Sequence, residues 1–123
     1  MNYTGKELAA VVRMAVTMAN ADGVFADEER SVIVQELVNF GVSPTDAAHI
    51  LIMSRDMDPS DALATIACMN DEQKRYVTGY LAVVMIADGE IDESEVKMWR
   101  FISLLANLPE MDLAEALEFW NTH

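Results

Sequence analysis

Leu8, Val11, Val12, Ala15, Met18 and Ala19 recur at helical spacing, behind a capping box in which Thr4 stands at the N-cap and Glu7 three residues on. The pattern predicts a first helix ending near Asn20. A second, over 28–40, places Val32, Ile33, Leu37 and Phe40 on one face, with Gly41 as its left-handed stop. Ser43-Pro44 restarts the chain, and Ala47, Ile50, Leu51 and Ser54 mark the apolar side of a third helix. Asp58-Pro59 opens a fourth, running to about Met69. Asn70 and Gln73 form a second capping box, and the fifth helix behind it runs to Ala87. After Tyr76 it is apolar on nearly all sides, which places it at the centre of a bundle. Asp92 caps a sixth, amphipathic helix that includes Val96, Trp99, Ile102 and Leu105. A seventh begins between Pro109 and Asp112 and carries Leu113, Leu117 and Trp120.

No stretch alternates with period two between hairpin turns, so no strand is predicted. The expected fold is all-α: one domain over 1–123, a bundle of about seven short helices. At 123 residues the chain can bury a core without staples.

One pattern occurs twice. Ala21-Asp22-Gly23-Val24-Phe25 leads to Glu29, and Ala87-Asp88-Gly89-Glu90-Ile91 leads to Glu95, each between two helices. Two Asp-Gly helix–loop–helix repeats are therefore expected, with the third and fourth helices inserted between them. The second loop fits the latter half of a calcium-binding EF-hand loop. Asp88 and Gly89 take the fifth and sixth positions, the Glu90 carbonyl the seventh, Asp92 the ninth and Glu95 the twelfth. The first half of such a loop is missing, because Val84 and Ile86 stand where acidic ligands belong. A full calcium loop is excluded, and a partial oxygen-donor set remains. In the first loop Asp22 and Glu29 are retained, while Val24 and Ala26 replace Glu90 and Asp92. The candidate ligands are thus Asp88, Glu90, Asp92 and Glu95, then Asp22 and Glu29. Such donors suit a hard divalent cation, calcium or magnesium before zinc. Turn chemistry accounts for most of the same residues: Gly stops a helix, Asp92 with Glu95 caps the next, and Ile91 and Phe25 plug the core beneath. Both readings stand on the sequence.

The doubled motif, Met18-Ala19-Asn20-Ala21-Asp22-Gly23…Glu29 and Met85-Ile86-Ala87-Asp88-Gly89…Glu95, resembles the TerB-like family, named for bacterial tellurite-resistance proteins. The resemblance covers nearly the whole chain, because spacing and helix count also agree. It implies an all-helical domain without catalysis, a bacterial intracellular module tied to metal or chemical stress, and an acidic surface as candidate metal binder. Related domains occur fused to other proteins, including membrane-anchored co-chaperones. The resemblance points to Asp22, Gly23 and Glu29, and to Asp88, Gly89 and Glu95. Ala26 departs from the acid or polar residue expected before the second helix, which weakens the first loop.

Charge narrows the partners. Eight basic against twenty-one acidic residues give a net charge of −13, which argues against nucleic acid and against an anionic membrane surface. A basic or apolar protein partner on the acidic face fits. No apolar run is long enough to span a membrane, and no signal peptide is evident, so a cytoplasmic location is expected. The single Cys68 excludes an internal disulfide and reads as a small buried hydrophobe. Of the nine methionines, Met14 with Met18 and Met53 with Met57 lie one helical turn apart and read as core filler or as adaptable surface. His49 reads as packed or partly exposed. Glu110, Asp112, Glu115 and Glu118 read as a solvated face, with Phe119 and Trp120 beside them to dock on the bundle or on a partner. No nucleophile elbow or phosphate-binding loop occurs. The sequence therefore points to a non-enzymatic module with cation-binding loops. The alternative is a protein-interaction module whose loops are purely structural.

Overall fold

A computed structural model describes residues 3–19, 27–39, 41–86 and 91–122, without the side chains of 19, 27–30 and 39. The described residues form helices and no strand: α1 (Gly5–Ala19), α2 (Asp27–Asn39), α3 (Pro44–Arg55), α4 (Pro59–Ala67), α5 (Asp71–Met85), α6 (Glu93–Leu105) and α7 (Leu113–Thr122). α4 and α5 each stop two residues before the end the sequence predicts. Asn20, Phe40 and Ala87 lie outside the described residues.

The internal repeat is longer than its loops. α1 and α5 each span 15 residues, and α2 and α6 each span 13. Their punctuation matches as well. The Thr4 amide donates to Glu7 Oε1 at 2.9 Å and the Glu7 amide to Thr4 Oγ1 at 3.1 Å. In the second unit the Asn70 amide donates to Gln73 Oε1 at 3.1 Å and the Gln73 amide to Asn70 Oδ1 at 2.8 Å. At the far end, Gly41 and Asn107 both take positive φ, 92° and 53°. The next amide reaches back over the helix end each time, Val42 to the Leu37 carbonyl and Leu108 to the Ser103 carbonyl, at 3.3 and 2.8 Å. This is the Schellman closure, which satisfies carbonyls that a helix end leaves over. The helix pairs α1–α2 and α5–α6 are thus one local design used twice.

α1 and α5 pack on each other at the centre. α3 and α4 cover α1, α7 covers α5, and α2 and α6 pack on both central helices. Ala9, Ala10, Val12 and Ala15 are fully buried, and such small side chains let neighbouring helices approach closely. The core stripe of α5 carries Val77, Tyr80, Leu81 and Val84, as its apolar run predicts. The same stripe starts with Lys74, also buried. Lys74 is the repeat counterpart of Leu8, so a lysine stem fills a leucine's place.

Polar ties fix the layers. Tyr3 Oη donates to the Gln73 carbonyl at 2.9 Å, and Arg13 Nε to the Met57 carbonyl at 3.0 Å. Trp99 Nε1 donates to the Thr78 carbonyl at 3.4 Å. Asp58 caps α4, and the hydroxyl and then the amide of Ser60 hold its carboxyl below the usual carboxylate range. Phe119 and Trp120 dock on the bundle, edge-on to Tyr76 and, for Trp120, to Tyr80 as well.

Cys68, expected to be buried, is exposed, because α4 ends at Ala67 and Cys68 is its C-cap, off the buried stripe of Ala62 and Ile66. Leu105 is half in solvent, because the core face of α6 runs through Trp99, Ile102 and Ala106. Of the methionine pairs, Met14 and Met18 fill the core and Met53 lies at the surface, the two uses expected of such pairs. His49 faces solvent on α3.

Candidate functional site

The second Asp-Gly loop runs from the end of α5 into the N-terminus of α6. Asp92 has extended backbone angles, φ −85° and ψ 130°, and its side chain caps the helix. Both of its bonds fall on Oδ1, from the Ser94 amide at 2.8 Å and the Glu95 amide at 3.2 Å. Among the described residues nothing occupies Oδ2. Glu93 is exposed and pairs with Lys97 across one turn at 3.4 Å, an interaction of a few tenths of a kcal/mol. The helix dipole at the first turn favours acids here with or without a ligand.

Glu95 behaves differently from its neighbours. Only 3% of its surface is exposed. The cause is periodicity: Glu95, Trp99, Ile102 and Ala106 follow at i, i+4, i+7 and i+11, and all four are buried. Ile91, expected to plug the core, is instead 62% exposed. It precedes the N-cap, where the extended backbone at Asp92 takes the chain off the helical stripe, and Glu95 occupies the inward position.

Of the other candidate ligands, Asp22, Asp88 and Glu90 lie outside the described residues. Glu29 lies in α2 with its side chain outside them, at the repeat position of Glu95. The connections 20–26 and 86–92 are equal in length and carry Asp22 and Asp88 in the same register. Among the described residues no group of three or more His, Cys, Asp or Glu side chains could hold a metal ion. Asp92 and Glu95 are thus the described part of the oxygen-donor set: one partly engaged carboxylate at the rim and one buried carboxylate three residues on. Sequence reasoning named Glu95 as a ligand but missed its burial, which its helical spacing to Trp99 and Ile102 could have shown.

A second feature lies at the other end of α6. A groove of about 650 Å³ is lined by Trp99, Leu104, Leu108 and Met111, with Arg100, Glu110, Asp112 and Glu115 among its polar residues. Asp112 and Glu115 also form a reciprocal cap for α7.

The family profile described as tellurite resistance protein TerB matches residues 8–118, nearly the whole chain. The chain belongs to the TerB family. The same fold occurs in a crystal structure of a protein of unknown function from Porphyromonas gingivalis W83, with a TM-score of 0.89 and 38% identity. That similarity covers 98% of this chain and 92% of the other. Nothing among curated proteins matches this TerB-family chain. Among its described residues no helix is long and apolar enough to cross a membrane.

Proposed function

We propose that this TerB-family chain is a non-enzymatic module of metal or chemical stress, whose second Asp-Gly loop holds a hard divalent cation weakly. The observation that carries the reading is the acidic Asp-Gly loop, which occurs twice in the same register between helices of matching length and in its second copy carries acids at 88, 90, 92 and 95. A divalent cation would use these acids together and offset their mutual repulsion. Asp92 Oδ2, which no described residue occupies, supports the reading. Asp22 and Glu29 would join, or form a second site, in the matching loop. The donor set favours calcium or magnesium over zinc. The link to tellurite or another stress rests on the family alone.

The test is amide NMR of metal-free protein titrated in turn with calcium, magnesium, zinc and manganese. Saturable calcium or magnesium shifts confined to 20–29 and 86–95, with manganese broadening at the same amides, are expected. Asp88→Asn with Glu95→Gln should abolish them in a chain that still folds. Flat spectra at roughly millimolar ion would remove the cation reading and leave the loops as helix turns.

A second reading, a protein-interaction module using the acidic surface, is favoured by a separate observation. Phe101, Leu104 and Leu105 expose about half or more of their surface on α6.

A further inference from the structure

Phe101, Leu104 and Leu105 are 55%, 77% and 49% exposed, and they stand at i, i+3 and i+4 of α6. That spacing makes one continuous apolar stripe on the side the core does not use. Isolated surface leucines need no explanation, but a helical stripe of three large side chains is the pattern of an anchor surface. The stripe borders the groove between α6 and the chain leading to α7. Leu104 lines that groove, buried Trp99 contributes to its wall, and Leu108 and Met111 continue its apolar lining.

Charge selects the occupant. Glu110, Asp112 and Glu115 line the groove against one basic residue, Arg100. Glu110 and Asp112 lie in the connection and Glu115 at the start of α7. A second copy of the chain would bring a net charge of −13 against its like and face six groove acids with two arginines. A segment with apolar residues at helical spacing and lysine or arginine on its flanks matches both the stripe and the rim.

We propose that the exposed stripe of α6 and the adjoining α6–α7 groove receive a basic amphipathic helix of a protein partner. This gives a site and a partner class to the interaction reading, on which it rests, and is independent of the cation reading. Leu104 and Phe101 are the anchors. Glu110 is the acid that engages the basic flank most freely, because Asp112 and Glu115 also hold the α7 cap.

The probe is a pair of fluorescein-labelled helical peptides with the same leucine stripe, one flanked by lysine and arginine, the other by glutamate. Anisotropy gives affinity and amide shifts give the place. The basic peptide should bind saturably and the acidic one at least tenfold more weakly, with shifts centred on 99–115. Phe101→Ser with Leu104→Ser should weaken the basic peptide at least tenfold while the chain stays folded with only a small drop in thermal midpoint, since both side chains are more than half exposed. Glu110→Lys should weaken it several-fold and reduce the effect of salt. Equal binding of both peptides, or an unaffected double variant, would overturn the proposal. Saturable shifts on another acidic surface would overturn this groove yet keep an interaction module. Binding of neither peptide would overturn both. Sedimentation showing a dimer of the chain alone that Leu104→Ser dissociates would assign the stripe to a second copy and overturn the heterologous partner.

Discussion

Tyr80, at the middle of α5, donates its phenolic hydrogen to the Ile33 carbonyl on α2 at 3.0 Å, and both residues are buried. The bond ties the second repeat unit to the first. Burial, and then the charge of Glu36, push the Tyr80 hydroxyl well above its ordinary value. The folded chain therefore keeps a proton that the unfolded chain loses above about pH 10, and stability from this group falls as pH rises beyond that point. Tyr80→Phe should cost about 1 kcal/mol at pH 7. The gap to the parent should narrow at pH 11, as urea unfolding at the two pH values will read. A gap unchanged with pH would mean the hydroxyl is not held as the fold places it.

Gly79 shows why α7 lies so close to α5. A Cβ there would stand 3.1 Å from the Ala116 carbonyl oxygen and 3.1 Å from Trp120 Cβ. Alanine would gain about 1 kcal/mol of helix propensity, but a backbone carbonyl and a ring stem cannot step aside without moving α7. Gly79→Ala should lose about 1–2 kcal/mol net, with a shifted tryptophan emission. Stabilisation would show that α7 yields easily.

Gly41 and Asn107 close equivalent helices with the same left-handed turn, yet only one is glycine. Nothing lies within 4 Å of a Cβ at Gly41, so Gly41→Ala should cost only the backbone term, about 1–2 kcal/mol. Asn107→Gly should be neutral or stabilise by a few tenths. Thermal unfolding of the pair compares the two closures directly.

Asp92 separates capping from ion binding. Asn caps as well as Asp, so Asp92→Asn should leave metal-free stability within roughly 0.5 kcal/mol of the parent, while Asp92→Ala should cost about 1 kcal/mol. If the loop holds a cation, the Asn variant should still lose calcium affinity in the same titration. Equal affinity would remove Asp92 from the ligand set.

Helix starts and stops were legible in the chain because they are local. Thr4 with Glu7, Asn70 with Gln73, Ser43-Pro44, Asp58-Pro59 and Gly41 each act within a few residues, and each stands where its type predicts. The all-helical class and the central place of α5 followed from apolar spacing, and the TerB resemblance from a motif written twice. Which of several apolar positions faces inward was a tertiary decision. Ile91 and Glu95 were both eligible at the start of α6, and the bundle took the charged one because it lies one turn before Trp99 on the packed stripe. Cys68 reads as core from its apolar neighbours in sequence, but the buried stripe there runs through Ala62 and Ile66. Capping depends on a few adjacent residues and is written in order along the chain. Burial depends on what packs across from a residue, and that is set only when the helices meet.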